Sequence, residues 1–289
     1  MCVPVPDASQ MPDGSETPGG PRPPGAPPVP ERPPSSEGSA TSGGSRAPGG
    51  IRPAYYATVG GGWRDWWTLL HPPYTVWHLS YVVVGASLAP RPNATRLVAS
   101  ALAFFFAVGL AAHALDELHG RPLRTTVPAG VLRGMTVGGL AVAVTLGVIG
   151  VVKVGPALVP FVVVGPLLVV AYNAELFGGV VHSDVGFAAT WGSFPLLCAY
   201  VAQTSTMRLA PLLGAAGAFA LSYAQRKLST PARLVRRSAV AVEGSIHMAD
   251  GSTRRIDERT LLAPLEHALR AMSWSTVFLA AALAVARLT

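Results

Sequence analysis

From residue 76 to residue 287 the chain passes through seven long apolar runs: 76–90, 97–115, 134–152, 155–174, 185–205, 209–225 and 268–287. A hydrocarbon layer about 30 Å thick takes about 20 helical residues to cross. No water is available there, so every backbone N–H and C=O must be satisfied within the chain, and such runs fold as helices. The expected fold is all-α, a polytopic transmembrane helical bundle of about seven to nine helices. Seven are the spans. The stretches around 55–78 and 258–270 supply the rest if they form helices of their own. The splits at Gly155-Pro156 and at Leu209-Ala210-Pro211 rest on turn residues.

Composition supports this architecture. Only 13% of residues are charged, against about 25% in an ordinary soluble domain. The net charge of +7 is spread over loops between apolar runs, which points to a lipid bilayer as partner and not to nucleic acid. Cys2 and Cys198 have no metal or redox spacing. Residues 1–54 form a Pro/Gly/Ser-rich tail whose first 50 residues hold 13 Pro and 9 Gly; such a segment buries too little apolar surface to order itself. Residues 55–289 are expected to form the membrane domain. It opens on Tyr55, Tyr56, Trp63, Trp66, Trp67, Tyr74 and Trp77, amphipathic rings suited to the headgroup level.

Lys and Arg set the orientation. With the tail in the cytoplasm of a multi-pass cell-membrane protein, the inside loops 116–133, 175–184 and 226–267 hold eleven basic residues and the outside loops four. Residues 226–260 form the largest cytoplasmic segment. Its start, Arg226, Lys227, Arg233, Arg236 and Arg237, carries no acid and reads as a topology signal and lipid anchor, or else as a clamp for a phosphorylated substrate. Asp250-Gly251 is a turn signal inside 238–256, where a small β-hairpin is expected.

Two clusters carry chemistry. In the first, His113, Asp116 and Glu117 fall at i, i+3 and i+4, one face of a helix, where an imidazole and two carboxylates suit a divalent cation. His119, Arg121 and Arg124 follow. The second is Tyr172-Asn173, Glu175, Gly178-Gly179, His182 and Asp184. Asp184 is a candidate helix cap or ligand. His71 and His78 are weaker candidates.

Three stretches resemble the intramembrane prenyltransferases of the UbiA superfamily: His71-Pro-Pro-Tyr-Thr with Val82-Val-Val-Gly85-Ala86-Ser, residues 112–124, and Tyr172 through Thr204 with Phe187, Trp191-Gly192 and Pro195. The family's first motif, Asn-Asp-x-x-Asp-x-x-x-Asp, aligns with Ala112, His113, Asp116 and Gly120, so Asp116 alone keeps the family residue. Where the family has its second acidic pair, this chain has Tyr223-Ala-Gln-Arg226-Lys227-Leu. The resemblance implies metal-assisted prenyl transfer from an isoprenoid diphosphate, with His113, Asp116 and Glu117 on a divalent metal, magnesium by family likeness. Iron, zinc or manganese also suit His and carboxylate donors. Arg121, Arg124, Tyr172 and Asn173 would bind substrate. Glu175, His182 and Asp184 would supply acid–base groups or replace the missing acidic pair. Alternatively, Arg226, Lys227, Arg121 and Arg124 bind the diphosphate directly. Other functions open on the same scaffold are a terpene cyclase, a His/carboxylate metalloenzyme of different chemistry, and a non-catalytic membrane partner protein.

Overall fold

The computed structural model describes residues 53–58 and 61–289; the tail before residue 53 lies outside the described residues. Eight helices run in chain order: α1 Trp63–Leu69, α2 Pro72–Ser87, α3 Ala94–Leu118, α4 Ala129–Val154, α5 Pro156–Asn173, α6 Asp184–Thr204, α7 Leu209–Ser238 and α8 Glu258–Leu288. Between the last two lies a hairpin, β1 Gly244–His247 paired antiparallel with β2 Thr253–Ile256. Among the described residues, five helices, α3, α4, α5, α6 and α8, are long and apolar enough to cross a membrane. The expected breaks fall in place: α4 ends at Val154 and α5 opens at Pro156, and α6 ends at Thr204 and α7 opens at Leu209.

The aromatic segment 55–78 holds a short first helix and the start of the second, with Pro72 and Pro73 at the junction between them. Its α1 exposes Trp63, Trp66 and Trp67 and buries Asp65, Thr68 and Leu69. His71 then takes a left-handed φ of 45° just before Pro72, which starts α2 because proline has no N–H to lose in a first turn. Elsewhere the boundaries differ from expectation. Residues 226–237 are not loop but the last turns of α7. The amphipathic stretch 258–270 is continuous with the last apolar run in α8. Asp257 caps that helix by accepting from the Thr260 N–H at 2.7 Å.

Burial ranks the helices. The apolar window of α4 is only 6% buried, that of α6 61%, so α4 meets lipid and α6 is central. Helix α2 has 16 residues, about 24 Å of helix, and packs between α6 and α8. Its polar side chains therefore meet protein: Trp77 Nε1 donates to Tyr81 Oη at 2.6 Å, which also accepts from Ser222 Oγ at 3.1 Å. Close approach needs small residues. A Cβ on Gly85 would lie 2.1 Å from the Leu196 carbonyl oxygen, and one on Gly192 would lie 2.6 Å from that of Ala218.

The topology brings the N-termini of α2, α4, α6 and α8 and the C-termini of α3, α5 and α7 to one end. The opposite end is tied by Gln203, which accepts from the Asn93 N–H at 2.8 Å, by Ser205 Oγ donating to the Val154 carbonyl at 2.7 Å, and by Arg287 donating to the Ala89 carbonyl at 2.8 Å.

Candidate functional site

At the first of these ends lies a cavity of 230 Å³. Helix α7 contributes Gln225, Arg226, Ser229, Arg233, Arg236 and Arg237; α3 contributes His113 and Asp116; α5 contributes Tyr172 and Asn173. His71 and His78 enter from α2 and its cap, His182 from the turn before α6, and Glu266 from α8. Tyr55 and Tyr56 close one side. Helix periodicity explains the α7 face: residues 226, 229, 233 and 237 recur every three to four positions and so point one way. The side chains of Arg226 and Arg236 are only 13% and 17% exposed, while Lys227, off that face, is 56% exposed. The polybasic stretch thus turns its arginines inward, which an anchor on lipid headgroups would not do.

Two helices carry π-helical turns beside the cavity, Phe105–Ala112 in α3 and Ala188–Ser193 in α6. Each widens its helix by a residue and delivers lining residues, Val108 and Ala112 from one and Trp191 from the other. Beyond them lies a second cavity of 90 Å³, lined by apolar groups including Phe104, Ala107, Leu140, Phe161, Gly165 and Phe194. Val108 and Trp191 line both cavities. A polar chamber and an apolar one therefore lie back to back.

The histidines are held by stacking and by main-chain carbonyls. His71 and His113 stack at 4.2 Å between centroids, and His182 stacks on Tyr172 at 4.5 Å. The Nδ1 atoms of His78, His113 and His182 lie 2.9, 3.2 and 3.0 Å from the carbonyls of Trp191, Gly109 and Tyr172. Tyr56 Oη lies 2.9 Å from His71 Nδ1. Burial, and then the neighbouring His113, hold the His71 imidazole well below its usual value, so it is neutral. Burial pushes the Tyr55 and Tyr56 phenols up, keeping both as donors. Three buried polar atoms at the cavity, Tyr55 Oη, His71 Nε2 and Gln225 Oε1, have no hydrogen-bond partner among the described residues.

Of the residues singled out from sequence, His113, Asp116, Tyr172, Asn173 and His182 converge on the cavity. The others do not. Glu117 is fully buried and accepts from the Leu123 N–H at 3.0 Å, the Thr125 N–H at 2.9 Å and Thr125 Oγ1 at 2.8 Å. Both of its oxygens are spent on the loop after α3, so the expected metal triad does not assemble. Arg121 donates to the carbonyls of Thr125 and Val127 at 3.2 and 2.6 Å, pinning that same loop, and Arg124 is exposed. Asp65 holds the loop from the other side, accepting from the Thr126 N–H at 2.7 Å. Glu175 is exposed with a φ of 49°. Asp184 bridges to Arg226 at 3.4 Å and to Lys227 at 2.5 Å, while the cap of α6 is Ser183, accepting from the Gly186 N–H at 3.0 Å.

The residues present do not fit the divalent-metal site that the family likeness implies. The carboxylates on the cavity are Asp116 and Glu266, and Glu266 is bonded to Arg236. Among the described residues no three His, Cys, Asp or Glu side chains gather as a metal-ligand set.

No family model, curated protein or solved structure matches this chain.

Proposed function

We propose that this chain is a divergent UbiA-like membrane enzyme acting on an isoprenoid diphosphate by prenyl transfer. One observation carries the reading: the arginine-lined chamber and the apolar chamber share a wall at Val108 and Trp191. An amphipathic ligand with a multiply charged head and a hydrocarbon chain matches that pairing of environments. By the Lys and Arg asymmetry, the arginine-rich end faces the cytoplasm.

In this reaction the C1–O bond of the prenyl diphosphate breaks and its electron pair leaves with the diphosphate. A nucleophilic acceptor then bonds to C1 and gives up a proton. Arginines oppose the charge that develops on the leaving group. The rings of Phe187, Tyr172 and Trp191 on the cavity wall offer π faces to an allylic cation. Among the described residues Asp116 lines the cavity without a salt bridge and is the carboxylate placed to take the acceptor's proton.

Titration calorimetry of the full chain in detergent tests the reading. Geranylgeranyl diphosphate is expected to bind at least about tenfold tighter than inorganic diphosphate, because buried methylenes each add about 0.8 kcal/mol. Gly165→Leu should remove that advantage and leave inorganic diphosphate unchanged, since its side chain would enter the apolar chamber, where a Cβ already lies 3.5 Å from the Phe194 ring. Equal affinity for the two ligands would overturn the reading.

A further inference from the structure

We propose that the polar chamber is a metal-independent diphosphate site in which Arg233 and Arg237, backed by Arg226, take the place of magnesium. The inference deepens the preceding reading and rests on it for the hydrocarbon chain behind the headgroup.

Charge is the first argument. Arg226, Lys227, Arg233, Arg236 and Arg237 face only Asp116, Asp184 and Glu266 in and around the chamber, which leaves two positive charges uncompensated. The surplus divides in two: one charge stays with Arg226 and Lys227, which have Asp184 between them, and one with Arg233 and Arg237, which have Asp116 on the same wall. Arg236 is bonded to Glu266. Among the described residues, Arg233 and Arg237 have no carboxylate within ion-pair distance.

Donor satisfaction is the second argument. A guanidinium carries five N–H donors. Among the described residues, the hydrogen bonds of Arg233 and Arg237 are one each, from Arg233 Nη2 to Thr230 Oγ1 and from Arg237 Nε to the Pro53 carbonyl, both at 3.3 Å. Most of their donors are left for whatever occupies the chamber they line. Buried polar groups are normally satisfied, and a diphosphate presents many acceptor oxygens in the geometry a guanidinium fork matches.

The third argument is independent of charge. His71 Nε2 and Gln225 Oε1, on residues 9% and 3% exposed, sit at the same chamber with no partner among the described residues. A neutral imidazole that accepts from Tyr56 at Nδ1 carries its N–H at Nε2, and the Gln225 amide presents either its oxygen or, turned over, its NH₂. Both are then potential donors to a phosphate oxygen. A magnesium site would instead need converging carboxylates, and among the described residues the only one on this wall not already paired is Asp116.

The experiment is calorimetric titration of the full chain with inorganic diphosphate and with geranylgeranyl diphosphate, in EDTA and again in excess Mg²⁺. The expected result is binding of both ligands in EDTA, within about threefold of the Mg²⁺ value. Arg233→Gln and Arg237→Gln should each weaken it at least about tenfold, as loss of a charge-assisted donor pair does, and Arg233→Lys should restore only part of the loss. Arg254→Gln on the exposed hairpin, which matches the charge change away from the chamber, should change nothing. Thermal unfolding of each variant separates misfolding from loss of the site. Binding that appears only with Mg²⁺ overturns this inference and leaves the prenyl-diphosphate reading intact. Binding of geranylgeranyl diphosphate under neither condition overturns that reading as well. Displacement of diphosphate by short-chain phosphatidylglycerol at equal concentration would show a phospholipid headgroup site and overturn the diphosphate assignment.

Discussion

Asp116 and Glu117 are neighbours in the chain, and an α-helix turns successive side chains by about 100°. That rotation gives them different lives. Asp116 faces the cavity, whereas Glu117 holds three hydrogen bonds from the loop at 123–125. Glu117→Ala would strand two buried backbone donors, at a cost of about 3 kcal/mol, visible as a lower unfolding midpoint in detergent. Asp116→Asn should unfold at the native temperature and lose the proposed prenyl transfer. The reverse pattern would exchange their roles. The spacing His113, Asp116, Glu117 is legible in the sequence as one face of a helix, but a face spans more than one neighbour. Which of the three meets the cavity is decided by where the 119–128 loop folds back. The arginines show the converse: all four were visible in the chain, yet nothing local distinguishes an arginine that meets headgroups from one that turns inward.

At the scale of elements, helix crossings rest on missing side chains. Gly85 lets α2 approach α6 so closely that a Cβ would overlap the Leu196 carbonyl, whereas nothing lies within 4 Å of a Cβ on Gly138 in α4. Gly85→Ala is expected to destabilise the protein by about 2 kcal/mol through overpacking. Gly138→Ala, on the lipid face of a helix, should be neutral or stabilising by up to about 1 kcal/mol. Equal unfolding midpoints for the two variants would refute the close crossing. Sequence showed both as glycines in apolar runs and could not rank them, since the partner of Gly85 lies more than a hundred residues away. The merging of 226–237 into α7 belongs to the same scale. Once Arg226, Arg233 and Arg237 are helical, they share a face extending about 16 Å along the axis.

At the scale of the whole molecule, the bundle is asymmetric: histidines, tyrosines and arginines collect at one end, and the other is clasped by Gln203, Ser205 and Arg287. The exposed hairpin β1–β2 marks the arginine end and provides a handle on orientation. In a Cys2→Ser, Cys198→Ala background, Ser245→Cys should react with a membrane-impermeant maleimide in inverted vesicles and not in intact cells. Labelling in intact cells would reverse the orientation.

The membrane class, the helix breaks at Gly155-Pro156 and before Leu209, and the Asp250-Gly251 hairpin follow from the sequence alone. Each depends on residues that act within a few positions of one another: an apolar run must hydrogen-bond to itself, and a proline or glycine ends it locally. The site does not work that way. Its lining comes from six helices and the segments between them, and its character depends on which arginines find a carboxylate. Arg236 meets Glu266 and Arg226 meets Asp184, while Arg233 and Arg237 meet neither. Only the packing of α7 against α6 and α8 makes that choice, because an ion pair is settled by distance through space and not by distance along the chain.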